Sequence, residues 1–211
     1  MKTDGLPEIA DSVRAYLDAK HQAREHALPL TREVVRLSAN AIRNVHRANF
    51  DVADELLAKA KANLEQTEAS LRDHRDIFYA GFVHDAQKEF AEAHTTLALI
   101  AGRPLPTPEA LGVMGAAYLN GIGETVGELR RHLLDALRSG DIQHCEEVLA
   151  AMGEIYGVLV TMDYPEAVTA GLRRTADAMR GILERTRGDF TMAATQHRLE
   201  AKLEDFQKRL G

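Results

Sequence analysis

The chain has 211 residues, 45% of them hydrophobic and 27% charged, with 26 Lys plus Arg against 32 Asp plus Glu and a formal charge of −6. That apolar share is ample for a core and excludes wholesale disorder, and the acidic excess excludes a histone-like protein basic over its whole surface. One cysteine, Cys145, excludes an internal disulfide and a Cys-rich zinc module. No apolar run approaches the roughly 18 residues of a membrane span, and Met1 to Gly5 lacks a signal-peptide core, so the expected compartment is the cytoplasm.

Prolines fall at 7, 29, 104, 106, 108 and 165, and between them lie long stretches of Ala, Leu, Glu, Arg and Lys, all good helix formers. No alternating apolar–polar run bounded by turns predicts a strand. Thr31 to Arg47 carries the helical period: Val34, Leu37, Ala41, Ile42 and Val45 share one side, and Arg32, Arg36, Asn40, Arg43 and Arg47 a narrow arc opposite. A second helix is predicted over Val52 to Leu71. A third runs from Ile77 to Ile100, with Phe82, Val83, Ala86, Phe90, Ala93, Leu97 and Ile100 as its apolar stripe. Gly102 to Pro108 is the strong break, because alternate prolines forbid helix. Thr107 then caps a helix from Pro108 to about Arg138, and Asp141 caps another reaching about Thr161. Past Met162-Asp163-Tyr164-Pro165, helices are predicted over Ala167 to Thr186 and Asp189 to Leu210, divided at Gly188. The expected fold is all-α, about seven helices in a single domain over 1–211. Apolar residues on more than one arc between Leu111 and Leu137 predict surface to bury on a partner.

Nine histidines form neither His-x-x-x-His nor Glu-x-x-His, and no P-loop, nucleophile elbow or dinucleotide fingerprint is present. The carboxylates are more informative. Glu89 and Glu92, three apart, border an apolar stripe, while Glu124 and Glu128, four apart, share a face of the next helix. Gly121, Gly123 and Gly127 surround the second pair and let another backbone come close. Four carboxylates from two helices suit hard ions such as Mg²⁺ or Mn²⁺, or else they are solvated surface groups. Residues 14–47 hold seven Lys or Arg against three acids, and 167–211 nine against six. Arg32, Arg36, Arg43 and Arg47, with Arg173 and Arg174, are either forked contacts for phosphate oxygens or solvated faces.

Two strings carry a resemblance: Lys88-Glu89-Phe90-Ala91-Glu92-Ala93, and Tyr118-Leu119-Asn120-Gly121-Ile122-Gly123-Glu124-Thr125-Val126-Gly127-Glu128-Leu129-Arg130-Arg131. Together they resemble the translin family, in particular translin-associated factor X and its prokaryotic single-gene relatives. The likeness continues through Gly140-Asp141, Met162 to Pro165, and Gly171-Leu172-Arg173-Arg174 to Arg185–Asp189, and so covers most of residues 30–195. It implies an all-α subunit in a ring- or barrel-like homo-oligomer, typically an octamer, enclosing RNA or single-stranded DNA. The factor-X branch is a metal-dependent endoribonuclease on single-stranded RNA. The resemblance therefore assigns Glu89, Glu92, Glu124 and Glu128 as catalytic and metal-binding residues, with Mg²⁺ or Mn²⁺ as cofactor. The translin branch lacks the full acidic set and binds without cutting, so the alternative is a non-catalytic RNA or single-stranded DNA binding homo-oligomer. A helical scaffold with no nucleic-acid role is the other. The family commonly has Asp where this chain has Glu124, whose extra methylene moves the carboxylate by about an ångström, and Mg²⁺ is demanding in geometry.

Overall fold

A computed structural model describes residues 3–210; Met1 and Lys2 of the expected leaderless start lie outside the described residues, as does Gly211. Nine helices and no strand occur among the described residues: α1 (Leu6–Val45), α2 (Phe50–Ser70), α3 (Arg75–Phe78), α4 (Gly81–Ile100), α5 (Pro108–Leu111), α6 (Gly115–Ser139), α7 (Ile142–Leu159), α8 (Glu166–Thr169) and α9 (Leu172–Leu210). The expected all-α architecture holds.

The stripe read over Thr31 to Arg47 is the buried face of α1, since Val34, Leu37, Ala41, Ile42 and Val45 are all inside. The helix also extends back to Leu6, passing through Pro29. Proline removes one helical donor, and both Pro29 and Glu25, whose carbonyl loses that donor, lie exposed. Three expected helices are shorter or broken. The one drawn from Ile77 divides into α3 and α4, because Ala80 is extended. Thr107 caps as expected, its hydroxyl accepting from the Ala110 N–H. That helix nonetheless stops after a turn at Gly112, where φ is 73°, and α6 starts afresh at Gly115. The helix drawn from Ala167 to Thr186 is broken near its start: its first residues form the single turn α8, and the rest, from Leu172, belongs to α9. Positive φ at Ala170 and Gly171 then turns the chain into α9.

The division at Gly188 does not exist: α9 runs unbroken for 39 residues. The reason is tertiary. Arg130 on α6 donates to the Thr186 hydroxyl at 2.9 Å and to the Asp189 carboxylate at 2.7 Å, bracing the helix on both sides of the glycine. Elsewhere the local signals suffice, as at Asp141, whose carboxylate caps α7 by accepting from the His144 N–H at 3.1 Å.

Packing forms two halves that meet on one seam. Helices α1, α2 and α4 enclose a core of Val34, Leu57, Leu64, Phe90 and Leu97. Helices α6, α7 and α9 enclose a second, of Val126, Leu129, Leu133, Met152, Leu172 and Met179. Ile100 and Tyr118 pack against both. Much of the apolar surface of Leu111 to Leu137 is used within the subunit, Leu111 in the first core and Ile122, Val126, Leu129 and Leu133 in the second, while Leu119, Leu134 and Leu137 are only partly buried.

The seam is the contact of α4 with α6. A Cβ on Gly121 would lie 2.6 Å from the Lys88 carbonyl oxygen, 2.9 Å from Ala91 Cβ and 2.9 Å from the Glu92 nitrogen. Only glycine permits that approach. Next to it, the buried hydroxyls of Thr95 and Thr125 bond each other at 2.7 Å, and the Glu92 carbonyl oxygen lies 3.1 and 3.3 Å from them as an acceptor for the remaining proton. Gly123 does the same service toward α9, its missing Cβ facing Thr175 and Met179, whereas Gly127 faces nothing within 4 Å.

Candidate functional site

The seam puts α4 and α6 backbone to backbone, so acidic side chains on both edges converge. Carboxylate oxygens of Glu89, Glu92 and Glu124 all lie within 4.8 Å of one another. Two come from α4, three residues apart on one face, and the third crosses from α6, one turn beyond Gly121.

Such crowding is electrostatically unfavourable without a cation. The Glu92 carboxyl is the most enclosed of the three, and burial together with Glu89, Glu124 and Glu128 pushes its pKa up to about 8. Burial also raises Glu89, partly countered by Lys88. Oxygen donors from three carboxylates, one held protonated at neutral pH when no cation is near, are a donor set that fits a hard divalent ion.

Glu128, the fourth expected acid, is not part of that convergence. It lies near enough to raise Glu92, but its Oε2 accepts from Nε2 of His46 at 2.5 Å, with Arg131 3.9 Å away. The histidine bond comes first among the causes that hold the Glu128 carboxyl below the usual carboxylate range. Its acceptor requires the proton on Nε2, leaving His46 Nδ1 buried and unpartnered.

Two site residues escaped the sequence reading. Lys88 places Nζ 2.7 Å from Glu124 and 3.5 Å from Glu89. It stands next to Glu89 in the sequence, yet adjacent helical residues do not face each other, so spacing assigned it nothing. His46 meets Glu128 across 82 positions, and no local signal predicts that contact.

The arginine stripe is exposed as expected, at Arg32, Arg36 and Arg43 on α1 and at Arg47 in the turn that follows it. Arg36 is held by Glu33, with bonds of 2.5 and 2.7 Å, and Arg43 bonds Asn40. Arg47 follows His46 in the turn after α1. Arg173 and Arg174 lie apart from it, on the first turn of α9, lining a cavity of about 1100 Å³ with Tyr156, Tyr164 and Arg180. Arg174 pairs with Glu166 at 3.1 Å.

No protein-family model matches the chain. Among curated proteins it is similar to the uncharacterised protein MJ0175 of Methanocaldococcus jannaschii, 31% identical over 195 residues that cover 91% of this chain and 86% of that protein. Among solved structures it is similar to AfC3PO in a complex with duplex RNA, with a TM-score of 0.80 and 34% identity over 89% of this chain and 97% of that one. AfC3PO crystallised by itself gives 0.80 and 33% over the same shares. Apo-NeC3PO, at 0.76 and 19% identity over 92% of this chain and 98% of that one, shares the fold.

Proposed function

This chain belongs to the translin family, and from that membership we propose that it is a metal-dependent endoribonuclease holding single-stranded RNA inside a homo-oligomeric shell. The observation that carries the reading is the convergence of Glu89, Glu92 and Glu124 around a Glu92 carboxyl pushed to about 8. A site selected only for stability has no reason to concentrate like charge there; a site that receives a dication does.

Glu89, Glu92 and Glu124 would hold Mg²⁺ or Mn²⁺. When bound, such an ion supplies Lewis acidity toward a phosphate oxygen and a water made nucleophilic at neutral pH. Glu128, kept ionised by the Nε2–H of His46, takes up the proton released in the attack at its remaining oxygen, Oε1. Arg43 and Arg47, at the C-terminal end of the stripe, bind the RNA backbone, while Arg32 and Arg36 extend the track along α1. Arg173 and Arg174 offer further phosphate contacts at the start of α9. RNA binding is supported by the duplex RNA complex of AfC3PO.

Assembly is supported by two apolar stripes that the bundle leaves open. Leu6, Ile9, Val13, Tyr16 and Leu17 lie exposed on the N-terminal part of α1, and Met192, Leu199, Leu203 and Phe206 on the C-terminal part of α9. Both repeat every three or four residues with few exceptions, as a helix-packing face does. Asp4, Glu8, Asp11 and Asp18 outnumber Arg14 on the first, whereas the second mixes Arg198, Lys202, Lys208 and Arg209 with Glu200, Glu204 and Asp205. A second copy of the chain is the occupant these arms suit, with an octamer as the family's usual closure.

The test is incubation with labelled single-stranded RNA and duplex RNA, with and without Mg²⁺, beside Glu89→Ala and Glu92→Ala. Mg²⁺-dependent cleavage of the single strand by the wild type alone supports the proposal. Equal degradation by all three overturns it, and binding without cleavage at any Mg²⁺ concentration leaves a non-catalytic binder.

A further inference from the structure

One group in the acidic seam carries positive charge of its own. Lys88 Nζ lies 2.7 Å from Oε1 of Glu124 and 3.5 Å from Oε1 of Glu89, so a single ammonium bridges two of the three converging carboxylates. The bridge is a product of the seam. Lys88 and Glu89 diverge on α4, and it is Glu124, brought across from α6 by the backbone contact at Gly121, that draws the ammonium over them.

Resting on the reading of this seam as a hard-ion site, we propose that Lys88 is a tethered counter-ion that the divalent metal displaces from Glu124 and Glu89, setting the metal affinity of the site and leaving a free ammonium at its edge once the ion is bound. Charge decides the exchange. At equal distance a dication attracts each carboxylate twice as strongly as an ammonium, and Mg²⁺ draws its oxygens to about 2.0–2.1 Å, nearer than any N–H donor allows. Lys88 pairs with only two of the three converging acids, so the carboxyl of Glu92 is left for an incoming ion to engage together with the other two. After exchange, three carboxylates, one dication and one nearby ammonium sum to zero charge, so the displaced lysine does not have to leave the neighbourhood. Its four-carbon stem is long enough to swing the ammonium toward solvent or toward a phosphate oxygen.

The experiment is calorimetric titration of the full-length, metal-free protein with Mn²⁺, comparing wild type, Lys88→Met, Lys88→Arg and Glu89→Ala. Lys88→Met keeps the aliphatic stem and removes the competitor, so its Kd for Mn²⁺ falls about tenfold, equivalent to about 1.4 kcal/mol. Lys88→Arg, which keeps a cation, binds within about twofold of wild type. A Kd for Lys88→Met equal to or weaker than wild type overturns the counter-ion, provided Glu89→Ala has lost Mn²⁺ binding. If Glu89→Ala binds Mn²⁺ as well as wild type, the metal-site reading itself fails and the counter-ion with it. A second readout needs no substitution: acetic anhydride labelling followed by mass spectrometry. Saturating Mn²⁺ raises acetylation of Lys88 several-fold, and unchanged labelling overturns the displacement.

Discussion

Nε2 of His46, the residue that ends α1, donates to Oε2 of Glu128 on α6 at 2.5 Å, and the histidine side chain is only 4% exposed. This bond ties the end of α1 to α6 at Glu128 and selects one tautomer of a buried imidazole. His46→Ala is expected to lower stability by about 2 kcal/mol in urea unfolding, because it leaves a partly buried carboxylate without its donor. The double variant His46→Ala/Glu128→Ala loses less than the sum of the two single changes. The folded Glu128 carboxyl lies below its ordinary value of 4.5, so its stabilisation is present above that pH and disappears as pH falls through the folded value. The gap between wild type and His46→Ala therefore narrows on acidification below about pH 4.5. Strict additivity at neutral pH would refute the coupling.

Glu92 has the opposite sign. Its folded pKa of about 8 stands above the ordinary 4.5, so the folded state takes up a proton in that window and loses stability as pH rises toward and through about 8. Without divalent ions, melting temperature should fall over this range in the wild type and fall less in Glu92→Gln, which is the more stable of the two at alkaline pH. Millimolar Mg²⁺ or Mn²⁺ reverses the order by raising the wild type and leaving the variant unmoved. Parallel pH profiles for both proteins would show that Glu92 is not the titrating group.

Two glycines on the same helix should respond in opposite directions. Gly121→Ala drives a Cβ to within 2.6 Å of a backbone oxygen, which cannot move aside, so it costs about 1–3 kcal/mol and opens the seam that gathers the carboxylates. Mn²⁺ affinity falls with it. Gly127→Ala meets nothing within 4 Å and gains up to about 1 kcal/mol from helix propensity. Paired chemical denaturation curves check both. Equal effects would mean that the α4–α6 approach is looser than the structure has it.

The arms can be tested apart from the site. Leu203→Glu on α9, or Ile9→Glu on α1, places charge in an exposed apolar stripe that the folded subunit does not use. Light scattering should show a shift from a multimer to smaller species approaching the 23.3 kDa subunit, with helical circular dichroism retained. An unchanged mass from both variants would place the assembly surface elsewhere.

Local physics carried the reading of the elements as far as local physics operates. The apolar period of α1, the Thr107 and Asp141 caps and the stop at Gly140 are decided within a few residues, and each stands in the structure. The break expected at Gly188 failed for the complementary reason. Glycine is only a weak helix breaker, and two bonds from Arg130, more than fifty residues away, outweigh it.

By itself the sequence determined that this chain is helical, that Glu89 and Glu92 share one face and Glu124 and Glu128 another, and that arginines line the outside of α1, because side-chain direction on a helix follows from spacing alone. Only the tertiary structure decided which of those acids meet. The contact at Gly121 is between backbones, and it sets the rotation of α4 against α6 that gathers three carboxylates, delivers Lys88 onto two of them and leaves Glu128 to His46. Rotation and distance between helices depend on every side chain packed along the seam at once, so no single motif encodes them.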